Sequence, residues 1–299
     1  RHGNERCSRT HDLLRRARRN PRKSSMDYSR SLAMRFSTAS LDIFTMETLA
    51  TSHGVAIITP SRALRNYVSH YWLSRDNDDL FHSAVPDGAV DIVLEVEGRD
   101  TRSWVYGTTT RAVEISLKQQ AHYLGIRFRP GQSRHFIKAA AHELTNGREL
   151  TDGLLCFPFD AVSEDILDNG VGTLLNRLLG QHLARVQPAR SQIDEVIDLI
   201  EADFGSRRVK EIAAYFGKSQ RQFERIFLET VGVSAKQFSS IARFHHAAAL
   251  ITQGMALVDA AAHAAYTDQS HMSNDFRRLA DVSPRRLFAD TSIFCKTRA

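Results

Sequence analysis

Arg221 and Arg225 are four residues apart in a stretch whose apolar residues repeat with helical period, so a helix presents both on one side. A guanidinium can donate two parallel hydrogen bonds to the O6 and N7 atoms of guanine. Gln220 and Glu224 lie on or beside the same face, and an amide can bond adenine in a similar bidentate way. The chemistry that this stretch offers is therefore the reading of base edges in DNA.

A second stretch offers amide, imidazole and hydroxyl groups over a corresponding surface. Its predicted base-reading side chains are Gln269, Ser270, His271, Ser273 and Asn274. A further set is predicted to bind phosphates, which fixes the register on DNA without reading sequence. These residues are Lys210, Ser219, Arg277, Arg278, Arg285 and Arg286. The alternative for each residue is an ordinary solvated position on the surface.

The elements that must position these groups are helices, because the apolar period is 3.6 throughout the chain after Pro188. Ser191 can cap a first helix, and a second short helix follows. The turn at residues 217–219 leads into a third helix, which runs from Gln220 to about residue 230 and ends at Gly232. Two short helices joined by a glycine-containing turn form a helix-turn-helix, whose second helix can enter a major groove.

The same unit occurs a second time. Met272 and Phe276 align with Phe223 and Phe227, the apolar residues that the first unit buries. A connecting helix, opened by Ser234, has about 18 residues and is therefore about 27 Å long at 1.5 Å per residue. Such a helix could hold two recognition helices about one turn of DNA (~34 Å) apart, on the same face of a duplex.

Upstream, the pattern is that of strands. From about residue 60, short stretches rich in β-favouring residues alternate apolar and polar positions, with the turn signal Pro86-Asp87-Gly88 between two of them. This spacing predicts an antiparallel sandwich or small barrel, followed by helical segments from about 132 to 187. The predicted fold class is thus α+β, with an N-terminal β-rich domain and a C-terminal all-α domain that holds two helix-turn-helix units.

Residues 191–290 resemble the DNA-binding domain of the AraC/XylS transcriptional regulators. The matching residues of the two halves are Ser219, Phe223, Arg225, Phe227 and Gly232, then Gln269, Ser270, Met272, Phe276 and Pro284. The N-terminal part resembles a poorly characterised β-rich module of some of these regulators, through Tyr71-Trp72, Pro86-Asp87-Gly88 and residues 125–131. The resemblance implies a sequence-specific transcription factor that binds double-stranded DNA. It also implies RNA polymerase as partner of an activator, a small-molecule effector and a homodimer.

Two positions depart from the family pattern. Ala265 stands where the family usually has glycine at the second turn; if the backbone there is left-handed, alanine costs on the order of 1 kcal/mol. Glu224 stands where many members have glutamine, and a carboxylate near phosphates is repelled unless it accepts from a cytosine amino group. Both departures leave the domain recognisable.

Four segments are expected: a basic tail and lead-in (1–58), the β-rich domain (59–187), the DNA-binding domain (188–290) and a short tail (291–299). The formal charge of +6 arises in the first 30 residues, which hold 10 Lys and Arg against 3 Asp and Glu. That tail is either a phosphate-binding arm or an unstructured extension. No apolar run is long enough to cross a bilayer, and three distant cysteines cannot form a disulfide framework, so a cytoplasmic protein is expected.

The competing hypothesis is an enzyme or ligand-binding module on the β-rich domain, with the helical part as a targeting device. Against an enzyme, the chain shows no phosphate loop, nucleophile elbow or metal-ligand cluster, so no catalytic residue, cofactor or metal is predicted. Arg127 and Arg129 share one strand face and are candidates to bind an anionic effector. The alternative is that both are exposed strand charges.

Overall fold

Eight strands occupy the first half of the computed structural model, which describes residues 55–75, 81–159, 162 and 170–289. The strands are β1 (Val55–Ile58), β2 (Val68–Ser74), β3 (Phe81–Ala84), β4 (Asp91–Glu97), β5 (Asp100–Tyr106), β6 (Val113–Ser116), β7 (His122–Phe128) and β8 (Arg148–Leu150). Six of them form an antiparallel sheet in the order β1-β2-β7-β4-β5-β8, and β3 pairs with β6 in a separate two-stranded sheet. The predicted antiparallel domain is confirmed.

The larger sheet has two different faces, because side chains alternate along each strand. One face carries the core of this domain, where Tyr71, Ile92 and Ile126 are fully buried together with residues of a helix described below. On the opposite face the register places Trp72 beside Gly125 and Val93 beside Trp104. Gly125 leaves room for the indole of Trp72, since a Cβ atom there would lie 1.9 Å from the ring.

Eight α-helices follow in the described part of the chain. They are α1 (Val171–Val186), α2 (Gln192–Ala202), α3 (Val209–Tyr215), α4 (Gln220–Val231), α5 (Ala235–Thr252), α6 (Leu257–His263), α7 (Gln269–Ala280) and α8 (Pro284–Ala289). Leu175 and Leu179 of α1 belong to the core of the sheet domain. We call α3 with α4 the first unit and α6 with α7 the second unit. None of the described helices is long and apolar enough to span a membrane.

Two expectations about the N-terminal half are corrected. In the part of the chain that the structure describes, residues 132–187 are not a continuous run of helices: the 3₁₀ turns Gln132–His135 and Ala141–Leu144 are followed by non-helical chain over 145–159, and an α-helix begins at Val171. Between them and α1 lies β8, which pairs with β5 at the edge of the sheet. The sheet also begins at Val55, four residues ahead of the expected boundary at residue 59. The rest of the predicted N-terminal tail, and the tail 291–299, lie outside the described residues.

The sheet and the helices belong to one compact unit of the chain. The long helix α5 has 18 residues, as the sequence predicted, and connects the first unit to the second. Its N-cap is Ser234, whose hydroxyl oxygen accepts a hydrogen bond from the Gln237 amide at 3.2 Å. The two recognition helices, α4 and α7, have 12 residues each, and α4 follows its predicted boundaries closely.

Candidate nucleic-acid interface

The start of α4 is fixed by a reciprocal cap. The hydroxyl oxygen of Ser219 accepts from the Gln222 amide at 3.3 Å, and Oε1 of Gln222 accepts from the Ser219 amide at 3.2 Å. One turn later Phe223 and Phe227 are fully buried, with ring centroids 5.8 Å apart. Because these rings fix the inner face of the helix, the rotation of its polar face is fixed as well.

That polar face carries the four predicted base-reading groups of the first unit. Gln220, Arg221, Glu224 and Arg225 are all exposed, and the side chain of Arg225 retains 68% of its accessible surface. Nε2 of Gln220 donates to Oε1 of Glu224 at 2.8 Å, and Nη1 of Arg225 lies 3.5 Å from Oε1 of Glu229. The carboxylate of Glu224 is therefore partnered within its own helix, and the guanidinium of Arg225 is exposed but ion-paired with Glu229.

Three of these residues, Arg221, Glu224 and Arg225, line a groove of about 760 Å³ at the starts of α3, α4 and α5. Arg221, Arg225 and Lys236 give it a positive lining, which suits the phosphates that border a major groove. The sequence analysis missed Lys236. A signal for it exists, because the duplication aligns Lys236 with Arg285, one of the predicted phosphate ligands.

The second recognition helix is built in the same way with different residues. Asp268 is its N-cap, and a carboxylate oxygen accepts from the His271 amide at 2.7 Å. Met272 and Phe276 are fully buried, in the positions that the alignment of the two units predicted. Of the predicted base-reading side chains in this helix, three are exposed (Ser270, His271 and Asn274) and two are half-buried (Gln269 and Ser273).

The second unit has a smaller groove of about 420 Å³ in the corresponding place. Leu257, Gln269 and Arg285, at the starts of α6, α7 and α8, contribute to its lining. The rings of His271 and Tyr266 pack in a T-shaped arrangement, with centroids 5.2 Å apart. Each unit thus presents a concave surface beside the exposed start of its recognition helix.

All six predicted phosphate ligands are exposed: Lys210, Ser219, Arg277, Arg278, Arg285 and Arg286. Three of them also have partners within the protein. The Ser219 hydroxyl donates to Oε1 of Gln222 at 3.0 Å, and Arg277 donates to Oδ1 of Asn274 at 3.2 Å. Nη2 of Arg278 donates to Oδ1 of Asp275 at 2.8 Å. Contact of these three with DNA would require the side chain to release or share its present partner.

The backbone at the turn of each unit is left-handed. Gly217 has φ +67°, and Ala265, at the corresponding place in the second unit, has φ +57°. The sequence analysis expected strain at Ala265 if its backbone is left-handed. Since the backbone is left-handed, alanine there carries the expected strain of about 1 kcal/mol.

Arg127 and Arg129 are not exposed strand charges, so that alternative is wrong. Their side chains retain 20% and 22% of their accessible surface, and both are ion-paired within the protein. Arg127 contacts Asp87 and Asp91, and Nη2 of Arg129 lies 3.2 Å from Glu201 of α2. A role in binding an anionic effector stays a prediction, and such an anion would have to compete with these carboxylates.

The two adjacent histidines of α5 point to different partners. Nε2 of His245 donates to the carbonyl oxygen of Pro86 at 2.7 Å, whereas the His246 ring stacks on Phe204 with centroids 3.8 Å apart. Burial lowers the pKa of His245 to about 4. Among the described residues, no group of three or more His, Cys, Asp or Glu side chains is placed to hold a metal ion.

Two protein families match separate parts of the chain. One, described as a helix-turn-helix domain, matches residues 212–290 and so includes both recognition helices. The other, described as a domain of unknown function (DUF6597), matches residues 56–149, which run from β1 into β8 of the sheet domain. No curated protein matches the chain.

Solved structures of ToxT from Vibrio cholerae are similar to this chain at low identity. One is 12% identical, covers 73% of this chain and 98% of its own, and has a TM-score of 0.41. Another, with an unsaturated fatty acid bound, is 12% identical, covers 78% and 92%, and has a TM-score of 0.38.

Proposed function

Because the chain carries an AraC-type helix-turn-helix domain behind an antiparallel sheet domain, we propose that it is a sequence-specific regulator of transcription initiation. The observation that supports this most directly is the repetition of one surface. Both units expose the start of a 12-residue recognition helix beside a groove, and α5 connects them. A double-stranded DNA site read in two adjacent major-groove segments is the ligand that this arrangement suits.

In the first unit, Arg221 and Arg225 are the proposed guanine readers, because their guanidinium groups are exposed and lie on one helix face. Glu224 is the proposed reader of cytosine: its carboxylate, which accepts from the amide of Gln220, can also accept from a cytosine amino group. In the second unit, Asn274 and Gln269 are the proposed adenine readers, with Ser270, His271 and Ser273 beside them.

Phosphate contacts are assigned to the basic groups around the two grooves. Lys236 joins the predicted ligands Lys210, Arg285 and Arg286 in this role, because it lines the first groove.

RNA polymerase, a second copy of the chain and a small-molecule effector are further partners that such a regulator implies, and a cytoplasmic location follows from its target. We propose that it is not an enzyme; stoichiometric iron, manganese or zinc in the purified protein would contradict this.

The test is selection of bound sites from a random duplex library, followed by affinity measurements on the selected operator. Arg225→Ala should weaken operator binding by about 1–3 kcal/mol and relax the preference at one base position. Arg286→Ala should weaken all sequences alike and reduce the slope of log affinity against log salt by about one. The matched control is Arg190→Ala, which removes an exposed arginine that precedes α2, pairs with Asp198 and lies outside the two grooves. If Arg225→Ala and Arg286→Ala both behave like this control, the assigned DNA-binding face is wrong.

A further inference from the structure

Two sequence motifs of the sheet domain, Pro86-Asp87-Gly88 and residues 125–131, lie where this domain contacts the helices. In the turn Pro86-Asp87-Gly88, the carbonyl oxygen of Pro86 accepts from Nε2 of His245 in α5 at 2.7 Å. Gly88 has φ +77°, and a Cβ atom there would lie 2.6 Å from the ring of Phe238, also in α5. The turn therefore lies directly against the helix that connects the two units.

This turn is tied back to the sheet by Arg127 of β7. The guanidinium forms an ion pair with Asp87 in the turn, and its Nη1 lies 3.1 Å from Oδ2 of Asp91 in β4. Since Asp91 and Arg127 are also partners in the strand register, the turn is braced against the middle of the sheet. A displacement of the turn would separate charges that are largely shielded from water.

Immediately after β7, the chain contacts α2 through two ion pairs. Nη2 of Arg129 lies 3.2 Å from Oε2 of Glu201, and Nη2 of Arg134 lies 2.6 Å from Oδ1 of Asp194. Both carboxylate side chains retain only 8% of their accessible surface. Gln132 adds a hydrogen bond to Asp194 at 2.8 Å. Buried, hydrogen-bonded carboxylates tolerate little displacement, because an unpaired buried charge is costly.

The C-terminal end of the first recognition helix is held by the same domain. The Thr145 hydroxyl donates to the carbonyl oxygen of Gly232 at 2.6 Å. A Cβ atom on Gly232 would lie 2.5 Å from Cγ2 of Thr108, and one on Gly131 would lie 3.1 Å from Cγ2 of Thr230. The sheet domain thus contacts the C-terminal end of α4, opposite to the exposed, polar start of this helix.

From these contacts we propose that the segment Arg127–Arg134 is a clamp that sets the orientation of α4 on DNA, with Arg129 and Arg134 as positioning residues. These contacts are made with α2, α4 and α5, and α5 in turn connects the first unit to the second. The clamp therefore governs base reading by the first unit more strongly than base reading by the second. This inference rests on the proposed function, since it concerns how the same DNA-binding surface is held.

The test uses the full chain and the selected operator, with each half-site altered in turn. The first half-site is the one whose base preference Arg225→Ala relaxes. In the double variant Arg129→Met with Glu201→Met, the ion pair is replaced by apolar side chains of similar volume, so packing is kept while the polar tie is lost. We expect it to bind the intact operator about tenfold more weakly and to lose discrimination at the first half-site, while discrimination at the second is retained.

Two further variants complete the test. Arg134→Lys keeps the charge but has a single nitrogen, so it cannot bond the Asp194 carboxylate and the carbonyl oxygen of Gly131 together as Nη2 and Nη1 of Arg134 do. We expect a smaller loss confined to the first half-site. The control is Asp198→Asn, which removes an exposed ion pair from the same helix, α2, and should leave both half-sites discriminated.

The outcomes separate this inference from the proposed function. If a folded double variant, or Arg134→Lys where the double variant does not fold, discriminates both half-sites as well as the wild type, the clamp is refuted and the regulator stands. Equal losses at the two half-sites would also refute it, because they indicate a general weakening rather than positioning of α4. A wild-type chain that selects no sequence at all refutes the proposed function itself.

Discussion

The first and second units share one internal design and differ in how their backbones turn. Both bury two large apolar side chains one turn apart in a recognition helix of 12 residues. The first unit has glycine at its left-handed positions, Gly217 (φ +67°) and Gly232 (φ +88°). The second unit has Ala265 (φ +57°) and Asp281 (φ +58°) at the corresponding places.

The docking of the sheet domain explains one of these differences. Gly232 lies against Thr108 and Thr145, so a side chain there has no room, whereas Asp281 at the end of α7 is exposed. The other difference has no such cause, because a Cβ atom on Gly217 would meet nothing within 4 Å. The left-handed positions of the two units therefore restrict the side chain for different reasons. At Gly232 the sheet domain leaves no room for a side chain, whereas at Gly217 and Ala265 only the backbone strain of a non-glycine residue counts.

The largest expected effect is that of Gly232→Ala. Strain at positive φ and overpacking against the sheet domain should together lower the free energy of unfolding by about 2–4 kcal/mol. Urea denaturation measures this. Gly254→Ala is the matched control, since Gly254 has φ +92° but nothing within 4 Å of the added Cβ, and about 1 kcal/mol is expected. Equal losses in the two variants would show that docking places no constraint on Gly232.

The next effect concerns the ion pair that holds α2. Burial by itself would raise the pKa of Asp194, but hydrogen bonds from Ser191 and the guanidinium of Arg134 outweigh it and lower the pKa from 3.8 to about 2. A carboxyl whose pKa is depressed by folding stabilises the folded state above the unfolded pKa, and this contribution is lost as the pH falls toward the folded value.

Asp194→Asn should therefore destabilise the protein by about 2 kcal/mol at neutral pH, and the difference from wild type should shrink between about pH 4 and pH 2. Thermal unfolding measured across this range tests the prediction. Asp198→Asn, which removes an exposed ion pair, should cost between about 0 and 1 kcal/mol. A deficit in Asp194→Asn that does not change with pH would argue that the carboxylate charge has no part in holding α2.

The smallest effect exchanges the turn residues of the two units. Ala265→Gly should stabilise the protein by about 0.5–1 kcal/mol, because relief of strain exceeds the added entropy of the unfolded chain, and Gly217→Ala should destabilise it by a similar amount. Differential scanning calorimetry on both variants measures the two shifts. If Ala265→Gly lowers the melting temperature, the alanine contributes packing that outweighs its backbone strain.

The helices of the two units could be predicted because their signals are local. Ser219 and Asp268 cap their helices three residues before the amides that they accept from, and the buried side chains repeat every four residues. Strand β8 could not be predicted in this way. Its three residues are exposed and carry no alternating pattern, so only pairing with β5, more than forty residues earlier in the chain, defines it as a strand.

The residues of the candidate site and of its supporting contacts also divide into those that local sequence signals predict and those that only long-range packing defines. The exposure of Arg221 and Arg225 follows from the burial of Phe223 and Phe227, because each arginine lies two positions from a buried ring and so points to the other side of the helix. The ion pair of Arg129 with Glu201 joins residues 72 positions apart, and no spacing rule relates them. Contacts of this kind are formed by the packing of one domain on the other, so two residues expected to be free or effector-binding are partnered within the protein.

Both tryptophans of the chain, Trp72 and Trp104, lie on the same face of the sheet, and the helical half has none. Indole emission therefore follows the melting of the sheet, while far-ultraviolet ellipticity is dominated by the eight helices. A protein whose halves are joined by buried ion pairs should give the same midpoint with both optical signals. Any variant that uncouples the halves would separate the two curves, without a label being attached to either half.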